Sequence, residues 1–137
     1  MGAAEERIAL EFLSHGHGTR MDIDAMAAML TEDFVWYVNA SRKPFVGCEA
    51  AREELARQVT MSSGALPGSV IHNVASNGGV VFTERTDIFE MDGKSIRFPV
   101  TAVLEVVDGK IAAWREYYDT VYLARQLDVN PSSVVEE

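Results

Sequence analysis

The spacing of apolar residues predicts that the first half of the chain is largely helical. Residues 3–14 carry a broad apolar stripe at helical spacing, and the glycine-rich sequence HGHG that follows is expected to end this helix. Asp22 or Asp24 can cap a second helix that runs through Leu30. Residues 49–60, which are rich in Ala, Glu, Arg and Leu, predict a third helix.

Alternation of apolar and polar residues predicts strands in the rest of the chain. In residues 31–40, β-branched and aromatic residues alternate so that Tyr37 and Asn39 share one face and Trp36 lies on the other. The second half contains four more alternating runs, separated by SNGG, MDGK and VDGK, and Asp-Gly at such a position is typical of a tight hairpin. These four runs cover residues 69–75, 80–91, 95–107 and 110–118.

The order of these elements indicates the fold class. Helices followed by an antiparallel meander form an α+β domain, in which the helices pack on one face of a curved sheet. Because 137 residues are enough to bury a core, we expect a single domain over residues 1–137. Residues 130–137 are predicted to be a flexible tail.

Composition and charge exclude several classes of protein. The 12 basic and 21 acidic side chains, with a net charge of -9, offer no basic surface for nucleic acid. No stretch has the roughly 18 apolar residues of a membrane span, and the N-terminus does not resemble a signal peptide, so we expect a cytoplasmic protein that binds no membrane. Cys48 is the single cysteine, which excludes an internal disulfide. Without clustered His and Cys or a glycine-rich phosphate loop, we expect no cofactor and no metal.

Polar residues at two-residue spacing on three predicted strands form the candidate site. Strand side chains alternate between faces, so the two members of each pair share a face. One interpretation is structural: a surface ion pair, or an ion-pair network on a sheet face. The functional interpretation is that one sheet brings all three pairs into a single pocket, although spacing alone leaves strand order and register open. The pairs are Tyr37 with Asn39, Arg85 with Asp87, and Trp114 with Glu116.

Three motifs in the chain resemble the limonene-1,2-epoxide hydrolases. They are VWYVN, SNGGVVFTERTDIF and FPVTAVLEVVDGKIAAWREYYD, and the resemblance covers roughly residues 4–125. This family belongs to a cone-shaped α+β superfamily that includes ketosteroid isomerases, SnoaL-type polyketide cyclases and nuclear transport factors. The resemblance implies N-terminal helices on a strongly curved, mostly antiparallel mixed sheet that forms a cone with an internal pocket. It also implies a homodimer.

The same resemblance implies a reaction and a role for each residue. The reaction is a cofactor-independent, one-step addition of water to a small or medium hydrophobic epoxide, which gives a vicinal diol. Arg85 matches an arginine that bridges two carboxylates, and Asp87 matches the acid that protonates the epoxide oxygen. Glu116 falls at the carboxylate that activates the water, while Tyr37 and Asn39 match the pair that positions it. Two carboxylates can fill both roles when their environments separate their pKa values.

One feature of the motif leaves the reaction open. Trp114 matches the aromatic residue expected to contact the substrate, but the family has an aspartate where this chain has Glu116. The extra methylene moves the carboxylate by about 1.5 Å, and a misplacement of about 1 Å can cost about 100-fold in rate. The alternatives are an isomerase or polyketide-cyclase-like enzyme, which would move a proton within an apolar substrate, or a non-catalytic small-molecule-binding domain.

Overall fold

Helices pack against one mixed sheet in this protein. The computed structural model describes residues 2–16, 21–61 and 68–131. Within these ranges the helices are α1 (Ala3–Ser14), α2 (Ile23–Ala28), α3 (Cys48–Met61) and α4 (Thr120–Leu127). The strands are β1 (Leu30–Tyr37), β2 (Phe45–Val46), β3 (Gly68–Asn77), β4 (Val80–Met91), β5 (Lys94–Val107) and β6 (Lys110–Tyr117).

The sheet places the last strand in sequence beside the first long one. In the described part of the chain, the strand order is β2-β1-β6-β5-β4-β3. β1 runs parallel to β6, whereas every other neighbouring pair is antiparallel. The predicted α+β class, with helices on a curved and mostly antiparallel mixed sheet, is therefore confirmed.

Two Asp-Gly turns produce the long hairpins that the sequence predicts. Asp92 and Gly93 join β4 to β5 with φ angles of 51° and 76°, and Asp108 and Gly109 join β5 to β6 with 50° and 79°. Positive φ at both central residues is the geometry of a type I′ turn, whose twist matches that of the flanking strands. These turns set the register of β4, which carries Arg85 and Asp87, relative to β6, which carries Glu116.

Three elements differ from the prediction. The second helix ends at Ala28 rather than Leu30, because Leu30 already pairs with Ile111 of β6. The two-residue strand β2 lies in a predicted loop and pairs with β1. Helix α4 was not predicted, and the predicted tail lies mostly outside the described residues, since the description ends at residue 131.

The core lies between the helices and the inner face of the sheet. Its centre is a stack of two tryptophans: the rings of Trp36 on β1 and Trp114 on β6 are parallel, with centroids 4.7 Å apart. Phe12 of α1 meets Trp114 edge-on at 5.0 Å. A second, smaller cluster packs α4 on β5 through Leu123 and the strand residues Ile96, Phe98 and Val100.

Among the described residues, no helix is long and apolar enough to cross a membrane.

Helix α4 begins at a side-chain cap. The Asp119 carboxylate accepts hydrogen bonds from the backbone N–H groups of Val121 at 3.0 Å and Tyr122 at 3.1 Å. Such a cap satisfies donors that have no partner within the helix. Since Leu123 then turns inward to the smaller cluster, the cap fixes the side of the molecule that α4 covers.

We predict that Asp119→Ala lowers the free energy of unfolding by about 1 kcal/mol, because two backbone donors lose their acceptor. Asp119→Asn keeps an acceptor oxygen and is the matched control, expected to retain most of the stability. Urea unfolding followed by circular dichroism measures both variants. Equal stability of the alanine variant and the wild type would show that the cap is dispensable.

Candidate active site

Arg85 lies between two carboxylates on the inner face of the sheet. Its Nε and Nη2 donate to the two oxygens of Asp87 at 2.8 and 3.1 Å, and Nη2 also donates to Glu116. Arg85 is 4% exposed and Glu116 is 7% exposed. A guanidinium is suited to this position because its planar set of N–H groups can hold two carboxylates at once.

Strand register explains why these three side chains meet. Across the β4–β5 pair Arg85 lies opposite Val100, and across the β5–β6 pair Glu116 lies opposite Ala102. Directly opposite residues point to the same face, so Arg85 and Glu116 approach each other above β5. The buried Ala102 offers only a methyl group at this point, which leaves room for the two long side chains.

Asp87 is also held from its other side. Ser69 of β3 lies opposite Asp87 in the β3–β4 pair, and its Oγ donates to an Asp87 oxygen at 2.6 Å. One guanidinium nitrogen of Arg85, Nη1, is buried and has no hydrogen-bond partner within the described residues. A buried charged donor without a partner is costly, and the two carboxylates on the other guanidinium nitrogens offset that cost.

The balance of charge in the cluster favours a retained proton. One arginine faces two carboxylates, so the cluster carries a net charge of -1 when both are ionised. Burial raises the pKa of Glu116; Arg85 acts against this rise and Asp87 adds to it. Burial opposes the charge of Arg85, but Glu116 and Asp87 together raise its pKa, and it stays a cation. Glu116 therefore keeps its proton above the usual pH range for carboxyls.

A cavity of about 320 Å³ adjoins the two carboxylates. Its volume is at the lower end of the range of small-molecule sites, about 300 to 1,000 Å³. Helix α3 supplies one polar side, where Glu54 accepts from Arg57 at 2.6 and 2.8 Å and from Gln58 at 3.0 Å. The other walls are mostly apolar and come from β4, β5 and α4: Phe89, Met91, Phe98, Val100, Leu123 and Leu127.

The structure does not bring Tyr37 to this cavity, which corrects the predicted grouping. Trp36 lies opposite Trp114 and stacks on it, so Trp36 occupies the inner face of β1. Tyr37 is the next residue, lies opposite Arg115, and therefore belongs to the outer face. The predicted alternation along β1 is right, but the face that turns inward is the one that carries Trp36.

Asn39 is buried beyond the end of β1, where its side chain links the chain after β1 to the chain after β6. Its Nδ2 donates to the backbone carbonyl of Tyr118 at 3.1 Å. Its Oδ1 accepts from the backbone N–H and the hydroxyl of Ser41 at 3.1 and 2.5 Å. Asn39 is not among the described residues that line the cavity beside Asp87 and Glu116. Its carbonyl oxygen already has two donors.

Trp114 is a core residue between Trp36 and Phe12, and it is not among the described residues that line the cavity.

Trp36, which the sequence analysis did not single out as a site residue, lies closer to Glu116. Its indole N–H is directed at Glu116 and acts to lower the pKa of that carboxyl, without reaching the geometry of a hydrogen bond. Tyr118 is a second missed residue, because its side chain lines the cavity. Its position two residues after Glu116 was the signal for it.

Among the described residues, no group of three or more His, Cys, Asp and Glu side chains is placed to hold a metal ion. The described site offers two carboxyls, a fixed guanidinium and an adjoining cavity.

This combination of a helix-covered curved sheet and an internal site defines the class of protein. A putative SnoaL-like polyketide cyclase from Jannaschia sp. CCS1 has the same fold, with a TM-score of 0.81 at 17% identity, over 93% of this chain and 94% of that one. The chain belongs to the limonene-1,2-epoxide hydrolase family, because the sequence model of the limonene-1,2-epoxide hydrolase catalytic domain matches residues 8–128.

A curated protein and a solved structure, both from Mycobacterium tuberculosis, are similar to this chain. Epoxide hydrolase EphG of Mycobacterium tuberculosis (strain ATCC 25618 / H37Rv) is 34% identical over 99 residues, which are 72% of this chain and 63% of that protein. The match therefore spans less than two thirds of the length of EphG. The structure of an M. tuberculosis LEH-like epoxide hydrolase has a TM-score of 0.76 at 28% identity, over 98% of this chain and 97% of that one.

We predict that Glu116→Gln becomes more stable relative to the wild type as the pH rises. Because the pKa of Glu116 is raised in the folded state, the unfolded chain gives up this proton first, above about pH 4.3. The folded wild type then loses stability until the pH passes the raised pKa, by about 1.4 kcal/mol for each unit of pKa shift. Glutamine does not titrate and escapes this loss.

Urea unfolding of both proteins between about pH 4 and about pH 8 measures the difference. Glu90→Gln, at an exposed position of β4, is the control for removing one carboxylate. A difference that stays constant, or that shifts towards the wild type as the pH rises, would contradict the raised pKa.

Proposed function

We propose that this protein is an epoxide hydrolase that adds water to an epoxide in one step and releases a vicinal diol. The observation that carries the proposal is the bridge that Arg85 makes between Asp87 and Glu116 at the wall of a mostly apolar cavity. Membership of the limonene-1,2-epoxide hydrolase family and the similarity to a mycobacterial epoxide hydrolase support the same reaction.

The reaction needs a base and an acid on the same bound substrate. The water oxygen attacks an epoxide carbon while Glu116 takes a proton from the water. The bond between that carbon and the epoxide oxygen breaks, and Asp87 gives its proton to this oxygen, which becomes the second hydroxyl. The reaction proceeds from the form in which Asp87 carries the proton and Glu116 is ionised, and it leaves a proton on Glu116, so returning that proton to Asp87 completes the cycle. No covalent intermediate forms.

The environment of each carboxyl fits its proposed role. A general base works best when its pKa is near the working pH, and burial raises the pKa of Glu116 in that direction. Asp87 lines the cavity and is oriented by Arg85 and Ser69, so its proton is presented to a substrate from a fixed position. Arg85 contacts both groups and would hold the pair together as the proton changes place.

The cavity favours a small or medium substrate with an apolar body. Its size suits such a molecule, and the aromatic and aliphatic walls from β4, β5 and α4 would exclude bulk water from the reacting carbon. The ion pair of Glu54 and Arg57 forms a polar side of the cavity and would meet a polar group of the substrate.

The first test is turnover of a panel of hydrophobic epoxides in ¹⁸O-labelled water under single-turnover conditions, followed by mass spectrometry. We expect a diol whose new oxygen carries the label on the first turnover, because water attacks the epoxide directly. Unlabelled diol would mean that a carboxylate oxygen attacks and that the one-step mechanism is wrong. A product with the mass of its substrate would indicate an isomerase.

Amide variants test the two carboxyl roles. Asp87→Asn and Glu116→Gln should each lower kcat by about 100- to 10,000-fold, since each removes one proton-transfer group. Glu105→Gln is the matched control, because Glu105 is part of an ion pair with Arg115 and is not among the described residues that line the cavity. Near-normal turnover by either amide variant, with the fold intact by circular dichroism, would overturn the assignment.

A further inference from the structure

Tyr118 lies beside Glu116 and has no role in the mechanism proposed above. It follows Glu116 by two residues, so it continues the inner face of β6, whereas Tyr117 between them is 48% exposed. The Tyr118 side chain lines the cavity that also contains Asp87 and Glu116. Its place is fixed by ring packing against Phe98, with centroids 5.4 Å apart. Its backbone carbonyl accepts the hydrogen bond from Asn39.

The phenol hydroxyl of Tyr118 is available to a bound molecule. Within the described part of the chain it has no hydrogen-bond partner. Burial raises the pKa of this phenol, and the nearby carboxyls of Glu116, Glu54 and Asp87 raise it further, so the hydroxyl keeps its proton. A neutral phenol is both a donor and an acceptor, and it can complete the hydrogen bonds of a small molecule beside a carboxylate.

The two residues that the motif assigns to the attacking water are engaged elsewhere. Tyr37 belongs to the outer face of β1, on the side of Arg115. The carbonyl oxygen of Asn39 accepts two hydrogen bonds from Ser41, and its amide nitrogen donates to Tyr118. A water that gives its proton to Glu116 needs another fixed partner, and the cavity-lining phenol on the same strand face is such a group.

We propose that Tyr118 is a further catalytic residue, whose hydroxyl hydrogen-bonds the attacking water and holds it against Glu116. The inference rests on the proposed epoxide hydrolase function. The water would then have two partners, Glu116 on β6 and Tyr118 directly after it, which fix its oxygen relative to the epoxide carbon. Tyr118 transfers no proton in this role, since Glu116 is the base. Asn39 becomes a positioning residue, because its bond to the Tyr118 carbonyl sets where the strand end lies.

The test compares three tyrosine-to-phenylalanine variants, each of which removes only a hydroxyl. Tyr118→Phe should lower kcat by about 10- to 100-fold, because the water loses a positioning partner, and should leave KM within about twofold. Tyr117→Phe, at the exposed neighbouring position, and Tyr37→Phe, at the position that the motif indicates, should both keep kcat within about twofold of the wild type. Thermal unfolding of all three checks that the fold is intact.

The outcomes separate this inference from the proposed function. If the wild type forms diol and Tyr118→Phe forms it equally fast, the role of Tyr118 is overturned while the hydrolase function stands. If Tyr37→Phe loses activity instead, the motif assignment is right and ours is wrong. A rise in KM without a fall in kcat would make Tyr118 a substrate-binding group and also overturn the role. A wild type that forms no diol from any epoxide overturns the proposed function and this inference with it.

Discussion

A buried cation between two carboxylates is the constraint on which this protein depends. Arg85 lies on the central part of the sheet and is almost completely removed from water, as is Glu116. Breaking such a buried pair by removing one partner typically costs about 3–5 kcal/mol, because a charge is left without compensation. The cluster needs side chains from β4 and β6 to meet across β5, so it exists only when both long hairpins have formed in register. Folding and the chemistry of the site therefore depend on the same strand alignment.

The tryptophan stack decides what surrounds that cluster. Trp36 and Trp114 join β1 to β6 in the one parallel pair of the described sheet, and their stacking selects the face of β1 that turns inward. A shift of one residue would exchange Trp36 for Tyr37 at that face. The large indole fills the core and brings its N–H towards Glu116, which leaves the tyrosine of the motif outside. Burial of the larger aromatic side chain, Trp36, therefore places an indole N–H rather than the Tyr37 hydroxyl near Glu116.

Local signals explain which parts of the fold could be predicted from the sequence. Asp-Gly turns with positive φ, and alternation within each strand, are properties of short segments, so the β4–β5 and β5–β6 hairpins and the shared face of Arg85 and Asp87 were predictable. The inward face of β1 was not, because it depends on packing between strands distant in sequence. Strand β2 has only two residues and exists through its pairing with β1, and α4 depends on a cap whose aspartate also fits a strand end.

Glu116 is one methylene longer than the aspartate that the family motif has at this position. Its longer side chain still reaches the guanidinium of Arg85 across Ala102, so the extra methylene has not broken the bridge. A carboxylate displaced by about one C–C bond, roughly 1.5 Å, moves the place where a water can be activated by a similar distance. The groups that hold that water would have to move with it. The phenol of Tyr118, directly after β6 and two residues beyond Glu116, lies on the same side of the chain as that carboxylate. Under our proposal, the proton acceptor Glu116 and the water partner Tyr118 come from β6 and the residue that follows it, so the outward position of Tyr37 on β1 is compatible with the reaction.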